Sequence, residues 1–431
     1  MIQSGIMERR HFLASIGAAT APASALAQGA AEAGSQLRIS AVEVWRVEGE
    51  LEYQTMQPGQ GNLQPSHVYD ELRPKPLEGD NELVTRTGRQ SRLYLKIKTD
   101  GGLEGLYGPI DQEGAIVVHR QLRPFLIGKD PLAVERLWDQ LFRINRHSRR
   151  GHYMIGISAV DNALWDLRGR YFGAPVYRLL GGPTRGAVQA YGSMLGHSVA
   201  PGPAARRALE FKQQGFVHQK WFLAYGPGDG AAGMAKNLET MRQLRRSVGD
   251  DVDLMFDAFS GWDLNYAKAW AARAEQFRPR FIEEAVHPEK IDSFVELRRG
   301  TSIPVASGEH IYNRWEVLDY LKQGALDVVQ CDPEWCGGVS ELVKICAVAS
   351  AYDVQVIPHG HSLHAALHVV ASQSPMTCPL VEYLINKMRS WYLFEKHELK
   401  PVDGRIALPD RPGFGIELDE AKIDRQTLME L

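Results

Sequence analysis

The sequence predicts an α/β fold: a (β/α)8-type (modified TIM) barrel with an α+β N-terminal capping domain that the C-terminal segment completes. Two observations predict the barrel. Beyond Gly182, short apolar runs alternate with amphipathic helical stretches at intervals of roughly 25 residues. Three consecutive runs also end in a carboxylate, at Asp257, Glu283 and Glu309, with 26 residues from each to the next. One such interval is one barrel repeat, so these carboxylates are expected on adjacent strands at one rim.

The N-terminal part of the chain predicts a separate capping domain. Two segments with β-type alternation, LRISAVEVWRVEG and SRLYLKIKTDGGLEGLYGP, indicate an antiparallel meander. From Gly114 to about Gly181 the apolar spacing becomes helical. We therefore expect a capping domain over 36–182, the barrel over 183–394, and a segment over 395–431 that returns to the capping domain.

Eight apolar runs predict the eight barrel strands. They are VQAYGSM, VHQKWFL, VDLMFDA, RFIEEA, PVASGE, LDVVQCD, VQVIPHG and LVEYL. Near-continuous apolar runs are typical of parallel strands that are buried on both faces. An open doubly wound sheet is the alternative, but no G-x-G-x-x-G motif follows a first strand.

The first 35 residues predict a twin-arginine signal peptide and leader rather than part of the fold. Arg9 and Arg10 precede an Ala-rich stretch that ends in SALAQ, with a plausible cleavage site after Ala27. A disordered Ala-rich leader is the alternative. The signal predicts the twin-arginine export machinery as a partner and the periplasm as the location; without it the protein would be cytoplasmic.

Composition narrows the class of protein. The formal net charge is −3, and no stripe of Lys and Arg with interleaved aromatic residues indicates nucleic-acid binding. No apolar run reaches the length of about 18 residues that a membrane span needs. Cys331, Cys336, Cys346 and Cys378 lack a zinc-type double pair, so we expect reduced, partly buried thiols, with a Cys331–Cys336 disulfide as the alternative.

The three equally spaced carboxylates predict a metal site. Asp257, Glu283 and Glu309 would repel one another at one rim unless a cation lay among them. Oxygen ligands favour a hard divalent ion, so we expect one Mg²⁺, with Mn²⁺ as the second possibility. Glu284 is the alternative ligand on its strand, although the spacing favours Glu283.

Other strand ends carry candidate catalytic groups. Asp332 and His359 follow neighbouring runs, and such a pair can fix the imidazole tautomer and raise its basicity. A helix-capping Asp and a histidine at the edge of the core are the alternative. Glu382 lies on the last strand. Lys220 could meet an anionic substrate or be a snorkelling surface lysine. His310 could bind substrate, support the neighbouring ligand or have a purely structural role.

A loop over about 55–80, rich in Pro, Gly and Asn, separates the two N-terminal strand segments. Long loops within compact domains are often functional lids. His67, Tyr69 and Arg73 are candidate substrate contacts in this loop.

Several motifs together resemble the enolase superfamily, in its mandelate racemase and muconate lactonizing group. ISAVDNALWDLRGRYFGAPVYRLLGG resembles the helix pair that precedes the barrel in this group. Within the group, the chain is most similar to acid-sugar dehydratases of the L-rhamnonate type. The motifs that carry this similarity are SGEH (307–310), DPEWCGG (332–338), VIPHG (356–360), YGPGDG (225–230) and RPGFGIEL (411–418).

The resemblance implies the roles of the site residues. Asp257, Glu283 and Glu309 would be the magnesium ligands, Asp332 and His359 the acid–base dyad, and Glu382 the acid of the eighth strand. Racemases of the group carry K-x-K on the second strand, whereas this chain has Lys220 followed by Trp221 and Phe222.

Loss of the second lysine favours a one-base reaction by His359. The expected reaction is dehydration of an acid sugar to a 2-keto-3-deoxy acid through an enediolate. An epimerase, racemase or cycloisomerase on the same scaffold is the first alternative. A non-catalytic exported protein that binds acid sugars is the second. A homo-oligomer is expected.

Overall fold

The structure, a computed structural model, describes residues 37–57, 62–74 and 79–431. The predicted signal peptide and leader lie outside these residues, together with Arg9, Arg10 and the cleavage site. Within the described ranges, no helix is both long enough and apolar enough to cross a membrane.

The cap begins with three antiparallel strands, β1 (Ile39–Met56), β2 (Leu83–Thr99) and β3 (Glu104–Tyr107). β1 pairs with β2 along nearly its whole length, and β2 pairs with β3. Val42 and Val44 of β1 are buried on one face, as the period of two in a strand requires. The predicted meander is therefore present.

Helices follow these strands. The longest is built from GISAVDNALWDLRGRYF and its flanking residues, and it ends at Gly173, whose φ of 63° provides a left-handed C-terminal cap. The helices are α1 (Gln112–Val117), α2 (Arg123–Leu126), α3 (Val134–Ile144), α4 (Gly151–Phe172) and α5 (Val176–Leu179), with a π-helical turn at Val118–Leu122 between α1 and α2.

Eight parallel strands form the barrel, and each coincides with one of the eight predicted runs. They are β4 (Ala187–Ser193), β5 (His218–Phe222), β6 (Asp253–Asp257), β7 (Phe281–Glu283), β8 (Val305–Ser307), β9 (Val328–Val329), β10 (Gln355–Val356) and β11 (Leu380–Leu384). Neighbours in sequence pair from β4 to β10, and β11 pairs with β4. β10 and β11 are the two ends of this sheet, and the Val356 amide of β10 donates to the carbonyl of Thr377, in the turn before β11, at 2.7 Å. The predicted fold class is confirmed.

The strands alternate with helices on the outside of the sheet. These are α6 (Pro201–Gln213), α7 (Gly230–Val248), α8 (Leu264–Ala274), α9 (Ile291–Arg299), α10 (Arg314–Gln323), α11 (Gly338–Ser350) and α12 (His364–Ser372). A shorter helix, α13 (Ile385–Trp391), follows β11 directly and packs on β1 of the cap. Arg389 of α13 donates to Gln54 of β1 at 3.0 Å. This helix therefore joins the barrel to the cap.

The C-terminal segment touches both parts of the fold. Its first strand, β12 (Arg405–Ala407), pairs antiparallel with β4 of the barrel. Its second strand, β13 (Arg425–Leu428), pairs antiparallel with β1 and becomes the outer strand of the capping sheet. The sequence predicted the return to the cap, and the structure adds the earlier contact with the barrel.

Candidate active site

The inside of the barrel has an apolar layer with a polar layer above it. The apolar layer forms one buried cluster of Tyr191, Met255, Phe281, Ala306, Val328, Ile357 and Leu380. Because side chains alternate along a strand, the residue two places further on points into the barrel again. Five of the seven positions hold Asp257, Glu283, Gln330, His359 and Glu382, and the other two hold Ser193 and Gly308. The alternation therefore places the predicted functional side chains at the carboxyl ends of the strands.

Lys220 lies at the centre of the polar layer and is only 1% exposed. Its ammonium Nζ is 2.8 Å from both carboxylate oxygens of Glu283, 3.0 Å from Glu382 Oε1 and 3.3 Å from Asp257 Oδ2. These carboxylates hold the pKa of Lys220 well above its usual range despite the opposing effect of burial. The alternative of a snorkelling surface lysine is wrong.

Asp257 and Glu283 are buried, and the side chain of Glu309 is 13% exposed. When all three carboxylates are ionised, they carry more negative charge than Lys220 balances. Burial, reinforced by neighbouring carboxylates, raises the pKa of Asp257 to about 7, of Glu283 to about 8 and of Glu309 to about 7. Lys220 opposes the shift for the first two residues. The parallel pairing sets Asp257 directly beside Glu283 on β6 and β7. Such a group of carboxylates is stabilised by a cation.

Glu284 also belongs to this group. Its φ of 43° turns the chain out of β7, and its carboxylate accepts from Ser260 Oγ at 3.2 Å and contacts His310 Nδ1 at 2.8 Å. Possible ligand atoms of Glu284, Glu309 and His310 lie within 4.8 Å of one another. The sequence did not decide whether Glu283 or Glu284 is the ligand on this strand. In the structure both carboxylates lie at the site.

The donor set fits a hard divalent ion. Among the described residues, the possible ligand atoms that lie within 4.8 Å of one another belong to Glu284, Glu309 and His310, whereas both oxygens of Glu283 contact Lys220. The amide oxygen Oε1 of Gln330 is buried without a hydrogen-bond partner among the described residues. The Nε2 of the same side chain donates to Glu283 Oε2 at 2.7 Å. Carboxylate and amide oxygens are the ligands that Mg²⁺ and Mn²⁺ prefer.

Asp332 and His359 form a hydrogen-bonded pair. Asp332 Oδ2 accepts from His359 Nδ1 at 2.8 Å, so the other ring nitrogen, Nε2, faces the carboxylate cluster and lies 3.3 Å from Glu309 Oε2. Burial opposes the charged ring, but Glu309 and Asp332 raise the pKa of His359 to about 10. Asp332 also accepts from the backbone amide of Glu334 at 2.6 Å, which fixes the carboxylate. The alternative reading as a separate cap and core histidine is wrong.

Glu382 completes the polar layer on the last barrel strand. Its Oε2 accepts from the Gly360 amide at 2.8 Å, next to His359. Burial favours the neutral acid, but Lys220 and His359 outweigh it and lower the pKa of Glu382 to about 2. Glu382 is therefore an ionised carboxylate in the middle of the site.

His310 lies at the edge of the site, where its side chain is 44% exposed. Burial opposes protonation, but Glu284 and Glu309 raise the pKa of His310 to about 9. A cavity of about 320 Å³ opens beside it. The cavity is lined by Gly151, His152, Ile155, His310, Tyr312 and Trp335.

The three loop candidates do not join the carboxylate cluster by a hydrogen bond or ion pair within the described ranges. Arg73 donates to the His67 carbonyl at 2.9 Å and pairs with Asp229 at 3.3 Å, which ties the loop to the turn after β5. His67 Nδ1 accepts from the amide of Gln64 at 3.1 Å. Tyr69 is 59% exposed. Residues 58–61 and 75–78 of this loop lie outside the described residues.

Sequence reasoning missed Gln330 and Trp335. The first could have been found from the alternation, since it lies two residues after inward-facing Val328. The second stacks on the His359 ring, with ring centres 4.9 Å apart and planes at 30°. No periodic signal in the sequence points to that contact, because Trp335 lies in a loop after β9.

A curled sheet of eight parallel strands with a carboxylate cluster and a histidine–aspartate pair at its carboxyl end defines an enzyme of the barrel class. Residues 204–422 match the family model "Enolase C-terminal domain-like", and residues 73–181 match "Mandelate racemase / muconate lactonizing enzyme, N-terminal domain". The chain belongs to the enolase superfamily, in its mandelate racemase and muconate lactonizing group. The predicted family and the prediction that the chain is an enzyme are confirmed.

Similar proteins include more than one activity. The chain is 34% identical to an L-rhamnonate dehydratase of Saccharopolyspora erythraea over 339 residues, which cover 76% of this chain and 83% of that protein. The crystal structure of L-rhamnonate dehydratase from Gibberella zeae has a TM-score of 0.75 at 28% identity and covers 89% of this chain and 94% of that one. The 3,6-anhydro-D-galactonate cycloisomerase from Zobellia galactanivorans has a TM-score of 0.69 at 26% identity, over 90% and 100% of the two chains.

Proposed function

We propose that the protein is a Mg²⁺-dependent dehydratase of an acid sugar, an aldonate such as L-rhamnonate or a related sugar acid, and that it forms a 2-keto-3-deoxy acid. The observation that carries this proposal is the His359–Asp332 pair, whose Nε2 faces a buried carboxylate cluster at the barrel mouth. The relationship to an L-rhamnonate dehydratase supports the substrate class.

Asp257, Glu283 and Glu309 are the residues that we propose as metal ligands. When bound there, a divalent cation supplies positive charge that stabilises the negative charge developing on the substrate carboxylate. We assign Glu284 to a supporting role, because the 26-residue spacing from Asp257 and to Glu309 selects Glu283 on this strand.

His359 is the proposed base. Its Nδ1–H donates to Asp332, so Nε2 is the atom that takes the proton from C2 of the substrate. A pKa of about 10 keeps Nε2 protonated beside Glu309, so Nε2 must first release that proton and leave its 3.3 Å contact with Glu309. A divalent cation bound to Glu309 would lower the pKa of His359, because it would offset the negative charge that raises it. The electron pair of the C2–H bond passes into an enediolate, and the C3–O bond then breaks.

The imidazolium of His359 returns the proton to the departing hydroxyl, which leaves as water, and the resulting enol tautomerises to the 2-keto acid. Lys220 holds a positive charge beneath the site, next to Glu283 and Glu382, and such a fixed charge favours the dianionic enediolate. We propose Glu382 as a further partner of the reacting substrate, beside His359.

Closure of the loop that carries His67, Tyr69 and Arg73 would exclude water from the reacting substrate.

A panel of acid sugars tests the proposal. Formation of a 2-keto acid, detected with semicarbazide, is expected with Mg²⁺ and not with EDTA. His359→Asn should abolish turnover while metal binding is kept. His397→Asn is the matched control, because His397 lies at the surface beside Glu417. A fully active His359→Asn would refute the proposed base.

An epimerase, racemase or cycloisomerase is the rival function, and the cycloisomerase neighbour supports it. Phe222 stands where racemases of the group carry a second lysine, which argues against a two-base reaction. In D₂O, exchange at C2 without release of water would favour the rival. Tight binding of an acid sugar without exchange or product would favour the non-catalytic alternative.

We also propose export through the twin-arginine pathway and assembly into a homo-oligomer. The double substitution Arg9→Lys and Arg10→Lys should keep the protein in the cytoplasm in a fractionation experiment. Light scattering of the purified protein should give a mass above that of one chain. Full export of the double-lysine variant, or a monomer mass, would contradict the respective proposal.

A further inference from the structure

A second hydrogen-bonded chain lies next to the proposed dyad. Lys387 of α13 contacts His361 Nδ1 at 2.7 Å, and His361 Nε2 contacts Asp111 Oδ1 at 3.0 Å. Asp111 belongs to the cap and immediately precedes α1, whereas the other two residues follow barrel strands β10 and β11. The chain therefore connects the cap with the mouth of the barrel.

The partners fix the tautomer of His361. An ammonium only donates, so Nδ1 of His361 accepts from Lys387, and the ring proton lies on Nε2 and is donated to Asp111. Burial, together with the Lys387 charge, lowers the pKa of His361, which keeps the ring neutral. The side chain at position 111 must therefore offer an acceptor to His361.

Asp111 accepts a second hydrogen bond with its other oxygen. Trp335 Nε1 donates to Asp111 Oδ2 at 3.3 Å. The Trp335 ring stacks on His359 and also contacts the His361 ring, with centres 4.9 and 5.0 Å away. The cap carboxylate therefore orients the aromatic ring against which the proposed base rests.

His361 also reaches the dyad through its backbone. Its amide donates at 3.0 Å to Asp332 Oδ2, the same oxygen that accepts from His359. The side-chain contacts of His361 help to hold this backbone segment, so a shift of the backbone at His361 would move a donor that orients Asp332. Groups that orient a reacting residue in this way typically contribute about 10- to 100-fold to activity.

We propose that Asp111, His361 and Lys387 are positioning residues for His359, through which the cap aligns the acid–base pair of the barrel. The inference rests on the proposed function, because it takes His359 as the base. It assigns a role in alignment, not in contact with substrate.

Asp111→Asn is the decisive substitution. An asparagine offers one acceptor oxygen and one NH₂ donor, so it cannot accept from both His361 and Trp335. We expect kcat to fall about 10- to 100-fold with KM changed less than about threefold, since misalignment affects the transition state more than binding. Lys387→Met removes the donor from the barrel side and should give the same signature if Asp111→Asn does not fold.

Glu135→Gln is the matched control. It neutralises a carboxylate of the cap that pairs with Lys344 of the barrel at 2.6 Å, at an exposed position away from the dyad. This variant should keep the wild-type kcat. Equal losses of kcat in Glu135→Gln and Asp111→Asn would overturn the proposal. They would mean that any weakened contact between cap and barrel lowers kcat.

A readout without substrate separates this inference from the proposed function. The ¹⁵N NMR shifts of the imidazole should show His361 protonated on Nε2 in the wild type and altered in Asp111→Asn. A wild type with Nδ1 protonated, or a fully active Asp111→Asn, overturns the positioning role. A wild type that converts no acid sugar, with the expected shifts, refutes the proposed function instead.

Discussion

Replacement of Lys220 by methionine tests the electrostatic account of the site. The substitution keeps the length of the side chain and removes one buried positive charge. Three carboxylates, of Glu283, Glu382 and Asp257, then lose an ammonium that lies 2.8 to 3.3 Å away. We expect the variant to unfold at a lower temperature than the wild type when divalent ions are absent.

The size of the effect follows from the geometry. At these distances each pair is worth about 5 to 6 kcal/mol at an effective dielectric constant of about 20. The desolvation of the ammonium offsets much of this, and removal of one partner from a buried ion pair typically costs about 3 to 5 kcal/mol. An unfolding entropy of about 2.1 cal/mol/K per residue over Leu37–Leu431 converts this into a decrease in Tm of about 4 to 6 °C.

Thermal unfolding in EDTA and in Mg²⁺ measures the effect. Because a divalent ion replaces part of the lost positive charge, Mg²⁺ should raise the Tm of Lys220→Met more than that of the wild type. Lys344→Met is the control, since it removes an exposed ion pair worth less than about 1 kcal/mol. An unchanged Tm of Lys220→Met in EDTA would refute the reasoning.

Three further predictions concern the ligands, a buried histidine and a glycine. Glu283→Gln should weaken Mg²⁺ affinity by at least about 10-fold in calorimetric titration, whereas Glu284→Gln, as a supporting group, should weaken it less. Burial lowers the pKa of His368 to about 3. Between about pH 6.5 and 3, the unfolded state therefore binds a proton at this histidine that the folded state does not bind. Stability should therefore fall by up to about 1.4 kcal/mol per pH unit as the pH decreases from about 6.5 towards 3. Gly308→Ala should cost at least about 1 to 3 kcal/mol in denaturant unfolding, because φ is 148° and the new Cβ would lie 2.5 Å from the Gln330 amide.

Each of these predictions has a result that contradicts it. Equal losses of affinity in both glutamine variants would mean that the two carboxylates share the metal. The stability cost of His368→Gln should shrink on acidification, and a constant difference between pH 6.5 and 4 would show that this histidine does not contribute. Gly300→Ala is the control for the glycine, since φ there is −96°, and an equal effect of the two substitutions would argue against backbone strain.

The sequence was sufficient to predict the barrel strands and most of the polar layer. The 26-residue spacing found Asp257, Glu283 and Glu309, because a barrel repeats at that interval and its strand ends meet at one rim. His359 and Glu382 were predicted because they also lie at or after the ends of barrel strands. The four cysteines are free, as expected, and all four are buried, whereas partial burial was expected.

Contacts that depend on backbone turns and on distant segments could not be predicted. Glu284 enters the site because its φ is positive, which no strand pattern indicates. Asp111 reaches His361 across 250 positions of the chain. Arg73 has the charge expected of a substrate contact, but its guanidinium is engaged by Asp229, and only the folded loop reveals that partner.

The pairing of β13 with β1 has a consequence for biosynthesis. Trp45 lies opposite Leu428, so a residue of the first strand pairs with one that is translated only after the whole barrel. On the ribosome, this edge of β1 stays unpaired until β13 has been translated. A nascent chain truncated before β12 would lack both strand pairings of the C-terminal segment, that of β12 with β4 and that of β13 with β1.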